Sequence, residues 1–183
     1  RVSVYTAVSS RVFNGLKFMR IRRCTVRVGI GYDIHRLVPD RRLVLGGVTI
    51  PFPSGLSGHS DADVLLHAVC DALLGAAAAG DIGTHFPDTD PRYKDIDSLK
   101  LLEETGRIIR SKNLAIRNLD GTIFAEAPLI SPYRHQMEIN IARTLDIDIG
   151  LVNIKATTME GLGAIGSGHG IAAMCVALVE PTL

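Results

Sequence analysis

The sequence predicts an α/β protein, specifically an α+β sandwich in which one mixed sheet packs against helices on one face. Short β-rich runs and three longer helical patterns follow one another in the order β-β-α-α-β-α-β-β. The 183 residues contain neither an internal repeat nor a linker, which indicates one domain. Such an order is typical of a single sheet covered by helices.

Each element is predicted from periodicity and from the residues that bound it. The predicted strands are Val26–Gly31, a pair within Leu43–Ile50 joined irregularly at Gly46 and Gly47, Asn118–Ala125, Val152–Thr157 and Ile171–Glu180. The predicted helices run from Ser60 to near Gly80, over Asp97–Ser111 and over Pro132–Leu145, with loops at Pro53–Gly58, Asp81–Pro91 and Gly161–Gly170. Ser60 suits an N-cap, Asp63 gives a capping-box-like start, and Pro132 suits a first turn.

Composition disfavours several functional classes. The net charge of +1 gives no argument for nucleic acid or a membrane surface, and an aromatic content of 5% is low for a protein that stacks bases. No apolar run approaches the ~20 residues of a membrane-spanning helix. Cys24, Cys70 and Cys175 form no Cys-x-x-Cys pair, and we expect buried, reduced thiols.

The first 32 residues contain no Asp or Glu but seven Arg or Lys. This composition is compatible with an organelle transit peptide, a tag remnant, or translation from upstream of a true start at Met19. The segment lacks a clear amphipathic helix, which favours the last two. We expect residues 1–26 to be a basic extension and residues 27–183 to be the domain. A cytoplasmic location is expected, with a plastid or other organelle if the extension is a transit peptide.

Asp33, His35 and His67 are the candidate metal ligands. Asp33 and His35 are two apart on an extended segment, so a carboxylate and an imidazole point to the same side. His67 shares a predicted helical face with Asp63 and Asp71, and this face is either a solvated stripe or the lining of a cleft or an interface. Ala- and Leu-rich surroundings favour a cleft or an interface. The triad would leave one zinc position open, as in catalytic zinc sites. The competing histidines are His59, His85, His135 and His169.

Two further segments carry polar groups in predicted loops. Residues 81–90 contain three carboxylates, which could bind a polyol or act as acids and bases, or could only form Asx-turns. Lys155–Glu160 leads from a strand into a loop with five glycines. There, hydroxyls and backbone N–H groups suit phosphate oxygens, and Glu160 could hold Mg²⁺. The alternative is an ordinary exit from a strand, and no Walker A motif is present.

Five segments of the chain match one family in register. They are Gly31–His35, His59–His67, Asp81–Gly83 with Phe86–Pro91, Ala125–Pro128 and Lys155–Glu160. Together they resemble the 2-C-methyl-D-erythritol 2,4-cyclodiphosphate synthase family of the non-mevalonate isoprenoid pathway. The resemblance implies a lyase that converts 4-diphosphocytidyl-2-C-methyl-D-erythritol 2-phosphate to the 2,4-cyclodiphosphate and CMP. It also implies zinc on Asp33, His35 and His67, Mg²⁺ or Mn²⁺ near Glu160, and a homotrimer with active sites between subunits.

The resemblance implies a role for each matched position. His59 and Thr158 would stabilise the transition state. The substrate-binding positions would be Ile34, Ser60, Asp81, Ile82, Gly83, Phe86, Pro87, Asp88, Thr89 and Asp90. The nucleotide-binding positions would be Ala125, Glu126, Ala127, Pro128, Leu129, Ile130, Ser131, Ala156 and Thr157. We also expect Asp71, one helical turn after His67, to orient that imidazole.

Four positions depart from the residues that many family members carry. Leu129 stands where Lys is common, so a cationic contact to the nucleotide or phosphate is expected to be absent. Ala164, Ser167 and His169 stand where an aromatic residue, Arg and Glu are common. These three positions would line the central cavity of the trimer, so an isoprenoid diphosphate is not expected to bind there in the usual way.

Two hypotheses compete with the cyclodiphosphate synthase. One is a zinc-dependent phosphoesterase on a nucleotide-linked polyol phosphate, which would use the open zinc position for water. The absence of an evident water-activating base beside the triad disfavours it. The other is a non-catalytic trimer that binds a nucleotide or an isoprenoid, which the intact triad disfavours.

Overall fold

The computed structural model describes residues 25–182, so most of the predicted extension 1–26 and Cys24 lie outside the described residues. The strands are β1 (Arg27–Pro39), β2 (Leu43–Leu45), β3 (Val48–Ile50), β4 (Ser54–Leu56), β5 (Leu114–Phe124), β6 (Val152–Thr157) and β7 (Gly170–Pro181). The helices are α1 (Val64–Ala76), α2 (Ile82–His85), α3 (Ser98–Ser111), α4 (Arg134–Leu145) and α5 (Gly163–Gly166), with 3₁₀ turns at Pro91–Tyr93, Ser131–Tyr133 and Ile149–Leu151. Within this part of the chain, no helix is long and apolar enough to cross a membrane.

A five-stranded sheet in the order β4-β1-β7-β5-β6 organises the domain. Strands β5 and β6 run parallel, and the other neighbouring pairs are antiparallel, so the sheet is mixed as predicted. Helix α1 packs against β1 and β7, α4 packs against β6, and α3 contacts both helices. Along β1 the residues facing α1 are covered, whereas Val28, Ile30, Tyr32 and Ile34 are exposed. The predicted sheet with helices on one face is therefore confirmed, and β2 and β3 form a separate hairpin.

Several predicted boundaries were wrong because tertiary contacts decide them. Strand β1 continues to Pro39, where its free edge pairs with Ser54–Leu56, so a strand replaces part of the predicted loop at 53–58. Strand β5 begins at Leu114, four residues early, because it pairs with the end of β7. Short helices interrupt the predicted loops at 81–91 and 161–170.

Helix α1 begins at Val64 with Asp63 as its N-cap, not at Ser60, and ends at Ala76. The Asp63 side chain is fully buried, so it does not share the polar face predicted for it with His67. Its carboxylate accepts the backbone N–H groups of Gly46 at 2.9 Å, Gly47 at 2.7 Å and Leu66 at 3.1 Å. Asp63 thus joins the β2–β3 hairpin to the first turn of α1.

Two glycines of β1 allow α1 to lie unusually close to the sheet. A Cβ atom on Gly29 would lie 2.0 Å from the backbone oxygen of Ala72, and one on Gly31 would lie 2.1 Å from that of Ala68. These distances are far inside van der Waals contact, so only glycine is compatible with the packing. The helix backbone therefore rests directly on the strand.

Cys70 and Cys175 are buried free thiols, as predicted. Burial raises the pKa of each thiol to about 12. Both groups are therefore protonated at neutral pH and behave as small apolar side chains of the core.

Replacing Asp63 by Asn tests the cap. An amide has one acceptor oxygen, so at least one of the three N–H donors would face an NH₂ group in a buried site. We expect Asp63→Asn to lower the free energy of unfolding by about 1–3 kcal/mol in urea titrations. The control is Asp148→Asn, because Asp148 is an exposed cap of a 3₁₀ turn and Asn caps as well as Asp does. Equal stability of the two variants would contradict the role of Asp63.

Candidate active site

The three predicted metal ligands lie together between β1 and α1. The Asp33 Oδ2 atom is 2.8 Å from His35 Nε2 and 2.9 Å from His67 Nδ1, and these two nitrogens are 3.2 Å apart. Asp33 and His35 extend from the face of β1 that Gly29 and Gly31 share, because alternate residues of a strand face the same side. Among the described residues, this is the group of His, Cys, Asp and Glu side chains whose ligand atoms converge closely enough to hold a metal ion.

Hydrogen bonds on the far side of the imidazoles decide which nitrogen faces the site. His35 Nδ1 lies 2.7 Å from the Ser57 carbonyl oxygen. A carbonyl only accepts, so Nδ1 carries a hydrogen, and in the neutral ring Nε2 then presents a lone pair to the site. His67 Nε2 lies 3.1 Å from the hydroxyls of both Ser60 and Ser98, and its Nδ1 faces Asp33.

The predicted role of Asp71 as the partner of His67 was wrong. The Asp71 carboxylate instead accepts the backbone N–H of Ile82 at 2.7 Å. One turn along α1 brings Asp71 toward the start of α2, whereas the far nitrogen of His67 points to the loop before α1 and to α3. Burial raises the pKa of Asp71, although the N–H of Ile82 opposes this shift.

The electrostatics of the triad favour a cation. Burial by itself raises the pKa of Asp33, but the hydrogen bonds and charges of His35 and His67 outweigh it and hold that pKa well below its usual range. For His35, burial lowers the pKa, but the hydrogen bond and charge of Asp33 together with the hydrogen bond to the Ser57 carbonyl outweigh it, so the net shift is upward. Two imidazole nitrogens and one carboxylate oxygen form a donor set that fits Zn²⁺ with an open fourth position.

A cavity of about 490 Å³ opens beside the triad and contains His35 and His67 in its wall. The other predicted positions in the wall are His59, Ser60, Ile82, Gly83, Phe86, Pro87 and Asp88. Sequence reasoning missed Gly58, Tyr93 and Leu101, which also line the cavity. Leu101 has the periodicity of an ordinary core residue. The ring of Tyr93 packs edge to face on Phe86, and only this tertiary contact reveals that it belongs to the site.

Two of the three carboxylates in residues 81–90 stabilise local turns. Asp81 caps α2 by accepting from the N–H and hydroxyl of Thr84, and these hydrogen bonds lower the pKa of Asp81. Asp90 accepts from the N–H and guanidinium of Arg92, which lowers the pKa of Asp90 in the same way. The Asx-turn interpretation therefore describes both. Asp88 is the carboxylate of this segment that lines the cavity, and Thr89 is outside the lining.

The predicted nucleotide residues form a second group at the carboxyl ends of β5 and β6. The Ala125 N–H donates to the Thr157 oxygen at 3.1 Å, and the Met159 N–H donates to Glu126 at 3.2 Å. The Thr158 hydroxyl donates to Glu160 at 2.7 Å. The residues of the group that are at least partly exposed are Glu126, Ala127, Pro128, Leu129, Ser131, Ala156, Thr157, Thr158 and Glu160. The side chains of Ala125 and Ile130 pack in the core.

Within a single chain, the predicted nucleotide residues lie apart from the cavity beside the triad. Ile34 and Phe124 both pair with Ala172, and Thr157 pairs with Phe124. At the level of the metal ligands, β1 and β6 are therefore three strand spacings apart, or about 14 Å. The side chain of Ile34 extends to the exposed face of the sheet, so only its backbone faces the triad side. Ala164 and Ser167, in and just after α5, are exposed and lie outside the cavity lining.

Fold and site together define a class of α+β proteins with a candidate metal centre between a sheet and a helix. Comparison with known proteins narrows this class: the YgbB family model matches residues 26–180. The 2-C-methyl-D-erythritol 2,4-cyclodiphosphate synthase of Desulfatibacillum aliphaticivorans is 65% identical over 85% of this chain and 100% of that protein. The chain therefore belongs to the YgbB family, and the enzyme family predicted from the sequence is confirmed.

Solved structures show the same relationship. IspF of Plasmodium falciparum in complex with CDP superposes with a TM-score of 0.76 at 35% identity, over 86% of this chain and 97% of that chain. The bifunctional IspDF of Campylobacter jejuni superposes with a TM-score of 0.84 at 39% identity. That alignment covers 86% of this chain and 43% of the bifunctional chain.

Substituting Gly31 by Ala tests whether the metal centre depends on close packing of α1. The new Cβ would overlap the backbone of Ala68, so the helix has to move and His67 moves with it. We expect the free energy of unfolding to fall by about 1–3 kcal/mol, and Zn²⁺ affinity, measured by chelator competition, to fall as well. The control is Gly75→Ala in the same helix, where the nearest atom is 4.0 Å away. Wild-type Zn²⁺ affinity in Gly31→Ala would contradict the dependence.

Proposed function

We propose that this chain is a cyclising phosphorus–oxygen lyase that converts 4-diphosphocytidyl-2-C-methyl-D-erythritol 2-phosphate to 2-C-methyl-D-erythritol 2,4-cyclodiphosphate and CMP. The observation that carries this proposal is the Asp33, His35 and His67 triad, which opens on a cavity lined by the segments that match the family. A relative with 65% identity carries the name of this enzyme, and relatives have been solved with CDP. A CDP-linked small molecule is therefore the ligand class.

We assign Zn²⁺ to the triad and Mg²⁺ or Mn²⁺ to Glu160. The two imidazoles and the carboxylate of the triad hold lone pairs toward one point, and bound zinc would supply Lewis-acid polarisation of a phosphate oxygen. The exposed Glu160 carboxylate, beside the Thr158 hydroxyl, offers the oxygen ligands that hard divalent cations prefer.

The residues of the cavity hold and orient the reacting phosphates. The 2-phosphate attacks the β-phosphorus and CMP leaves, so nucleophile and electrophile are both anions and no covalent nucleophile is needed. Catalysis then depends on positioning and on neutralising charge. His59 and Ser60 line the cavity next to His67 and are suited to donate hydrogen bonds to phosphate oxygens. The wall at Ile82, Gly83 and residues 86–88 would enclose the methylerythritol phosphate.

We further propose a homotrimer in which a neighbouring chain supplies the nucleotide side. The separation of about 14 Å between β1 and β6 keeps Thr158 and Glu160 away from the cavity of their own chain. Val28, Ile30, Tyr32 and Ile34 leave an apolar stripe on the open face of β1, with exposed fractions of 48–65%. A contiguous apolar patch of this kind is typical of a subunit interface. Cyclic association would bring the second group of one chain to the triad of the next.

The remaining assignments concern domain limits and location. Residues 27–183 are proposed as one domain and residues 1–26 as an extension, in agreement with a family match that begins at residue 26. We also propose a cytoplasmic location, in keeping with the bacterial sources of the most similar curated relatives. The organelle alternative depends on residues 1–24, which lie outside the described residues.

Turnover of the CDP-linked substrate tests the reaction. With Zn²⁺ and Mg²⁺ present, we expect CMP and a cyclic product, and in ¹⁸O-labelled water the product should contain no label. His67→Ala should lose activity by about 100-fold or more, since loss of an outer partner of a metal ligand alone costs 10–100-fold. His135→Ala is the control because that histidine is 77% exposed and lies outside the cavity lining.

Two outcomes would contradict the proposed reaction. A linear, ¹⁸O-labelled product would establish the phosphoesterase, because hydrolysis takes its oxygen from water. Binding of CDP without any release of CMP from the substrate would establish a non-catalytic binding protein.

Mixing two inactive variants tests the shared site. His67→Ala damages the metal side, and Thr158→Ala damages the nucleotide side. If adjacent chains build each site, subunit exchange at equal concentrations should restore about a quarter of the wild-type sites, because each chain carries one defect. The two variants measured unmixed, at the same total concentration, are the control. Activity of the mixture equal to their mean would place both residues in one chain's site.

A further inference from the structure

Behind His67 lie two polar side chains, those of Asp61 and Ser98, to which no role in the proposed reaction has been given. The hydroxyl of Ser98 is 3.1 Å from His67 Nε2 and 2.5 Å from Asp61 Oδ1. The other carboxylate oxygen of Asp61 accepts the Ser98 N–H at 3.1 Å. Ser98 is fully buried, and Ser60, whose hydroxyl is also 3.1 Å from His67 Nε2, is 6% exposed. A chain of hydrogen bonds therefore leads from the ring to a carboxylate.

The positions of the hydrogens in this chain follow from counting donors. A carboxylate only accepts, so the single hydroxyl hydrogen of Ser98 goes to Asp61. For the 3.1 Å contact between the Ser98 oxygen and His67 Nε2 to be a hydrogen bond, the ring nitrogen then has to be the donor. The Ser60 hydroxyl accepts the Ala62 N–H at 3.1 Å and lies 3.4 Å from the Ser98 oxygen, to which it can donate, so its own oxygen can share the same ring hydrogen.

We propose that Asp61, acting through Ser98, fixes His67 in the Nε2–H tautomer and so leaves the Nδ1 lone pair for the metal. Asp61 and Ser98 are positioning residues in this scheme, since neither faces the cation site. The inference rests on the proposed function, because it assigns these residues to the zinc centre of that enzyme. With zinc bound, His67 Nδ1 and the Asp33 carboxylate, which lie 2.9 Å apart, would both serve as ligands, and Nε2 would keep the ring hydrogen.

A capping role alone does not account for the contact between Asp61 and Ser98. Helix α3 already has its own N-cap, Asp97, which accepts the Leu99 N–H at 2.8 Å. Asp61 comes from the loop before α1 and holds both the N–H and the O–H of Ser98. The guanidinium of Arg41 fixes the same loop by donating to the carbonyl oxygens of Gly58 at 3.1 Å and Ser60 at 3.0 Å. The loop thus holds the Asp61 carboxylate within hydrogen-bonding distance of the Ser98 hydroxyl.

Asp61→Asn is expected to reverse the donor and acceptor roles in the hydrogen bonds that join residue 61, Ser98 and His67. Each carboxylate oxygen of Asp61 accepts a backbone N–H, Oδ2 that of Ser98 at 3.1 Å and Oδ1 that of Asp63 at 3.3 Å. In the orientation that keeps the shorter of these two bonds, the amide oxygen of Asn faces the Ser98 N–H and the NH₂ group faces the Ser98 oxygen. The Ser98 O–H then points to His67 Nε2, and the ring hydrogen moves to Nδ1, where it blocks the metal position. We expect Zn²⁺ affinity, measured by chelator competition, to fall by about 10–100-fold. In zinc-free protein, at a pH at which the ring is neutral, ¹⁵N spectra of the histidine rings should show a smaller share of the Nε2–H tautomer of His67 than in the wild type.

The matched control is Asp97→Asn. This variant also removes one negative charge at the N-terminus of α3. Asn caps a helix as well as Asp does, and the hydrogen bonds from Asp61 through Ser98 to His67 are unchanged. We expect wild-type Zn²⁺ affinity and a wild-type tautomer in this variant. If Asp61→Asn also keeps both, Asp61 is only structural and the inference is overturned.

A second variant covers the case in which Asp61→Asn does not fold. Ser98→Ala leaves the backbone contact to Asp61 but removes the acceptor of the ring hydrogen, with Ser60 remaining. We expect a smaller loss of Zn²⁺ affinity and a mixture of tautomers, and wild-type behaviour in both would overturn the inference. Failure of the proposed function can be told apart from failure of this inference. Wild-type protein with His67 as Nε2–H but without zinc at the triad would overturn the zinc assignment while leaving the tautomer assignment intact.

Discussion

The structure depends on the contact between the backbone of α1 and two glycines of β1. Carbonyl oxygens of α1 occupy the space where side chains of Gly29 and Gly31 would otherwise lie, so helix and strand approach as closely as backbones allow. This contact places His67 opposite Asp33 and His35 and sets the three ligand atoms within 4.8 Å of one another. The cavity forms beside the triad, where residues 58–60, residues 82–88, Tyr93 and Leu101 complete its wall. A larger residue in β1 would separate the elements that make the site.

Much of the fold and of the site was predictable from local patterns. Strand alternation put Asp33 and His35 on one side, and the matched segments of the family identified most of the cavity wall before any contact was known. The local patterns gave the wrong cap and the wrong hydrogen-bond partner where a residue distant in sequence forms the contact instead of a neighbour along the helix. Ser60 and Asp63 are both good N-caps by residue type. Asp63 is the cap because its carboxylate also accepts the backbone N–H groups of the distant β2–β3 hairpin. Spacing along α1 suggested Asp71 as the partner of His67, but the ring faces Ser98, thirty-one residues away along the chain.

In the proposed homotrimer, the site of one chain is half of what the chemistry requires. The triad and the wall at residues 82–88 are proposed to hold a phosphate and a small polyol, whereas the residues expected to bind the nucleotide lie three strands away. The exposed apolar stripe of β1 gives a physical reason for a second chain to approach. In the proposed homotrimer, assembly and catalysis would be linked, because association would bury apolar surface and complete the site at the same time.

The most direct measurement of the metal centre is an anomalous difference map, collected at the zinc absorption edge, from crystals of the full chain grown with Zn²⁺. We expect one strong peak per chain, bonded to Asp33 Oδ2, His35 Nε2 and His67 Nδ1 at distances of about 2.0–2.2 Å. A map without a peak among these three atoms, or with the ordered zinc bound elsewhere, would contradict it.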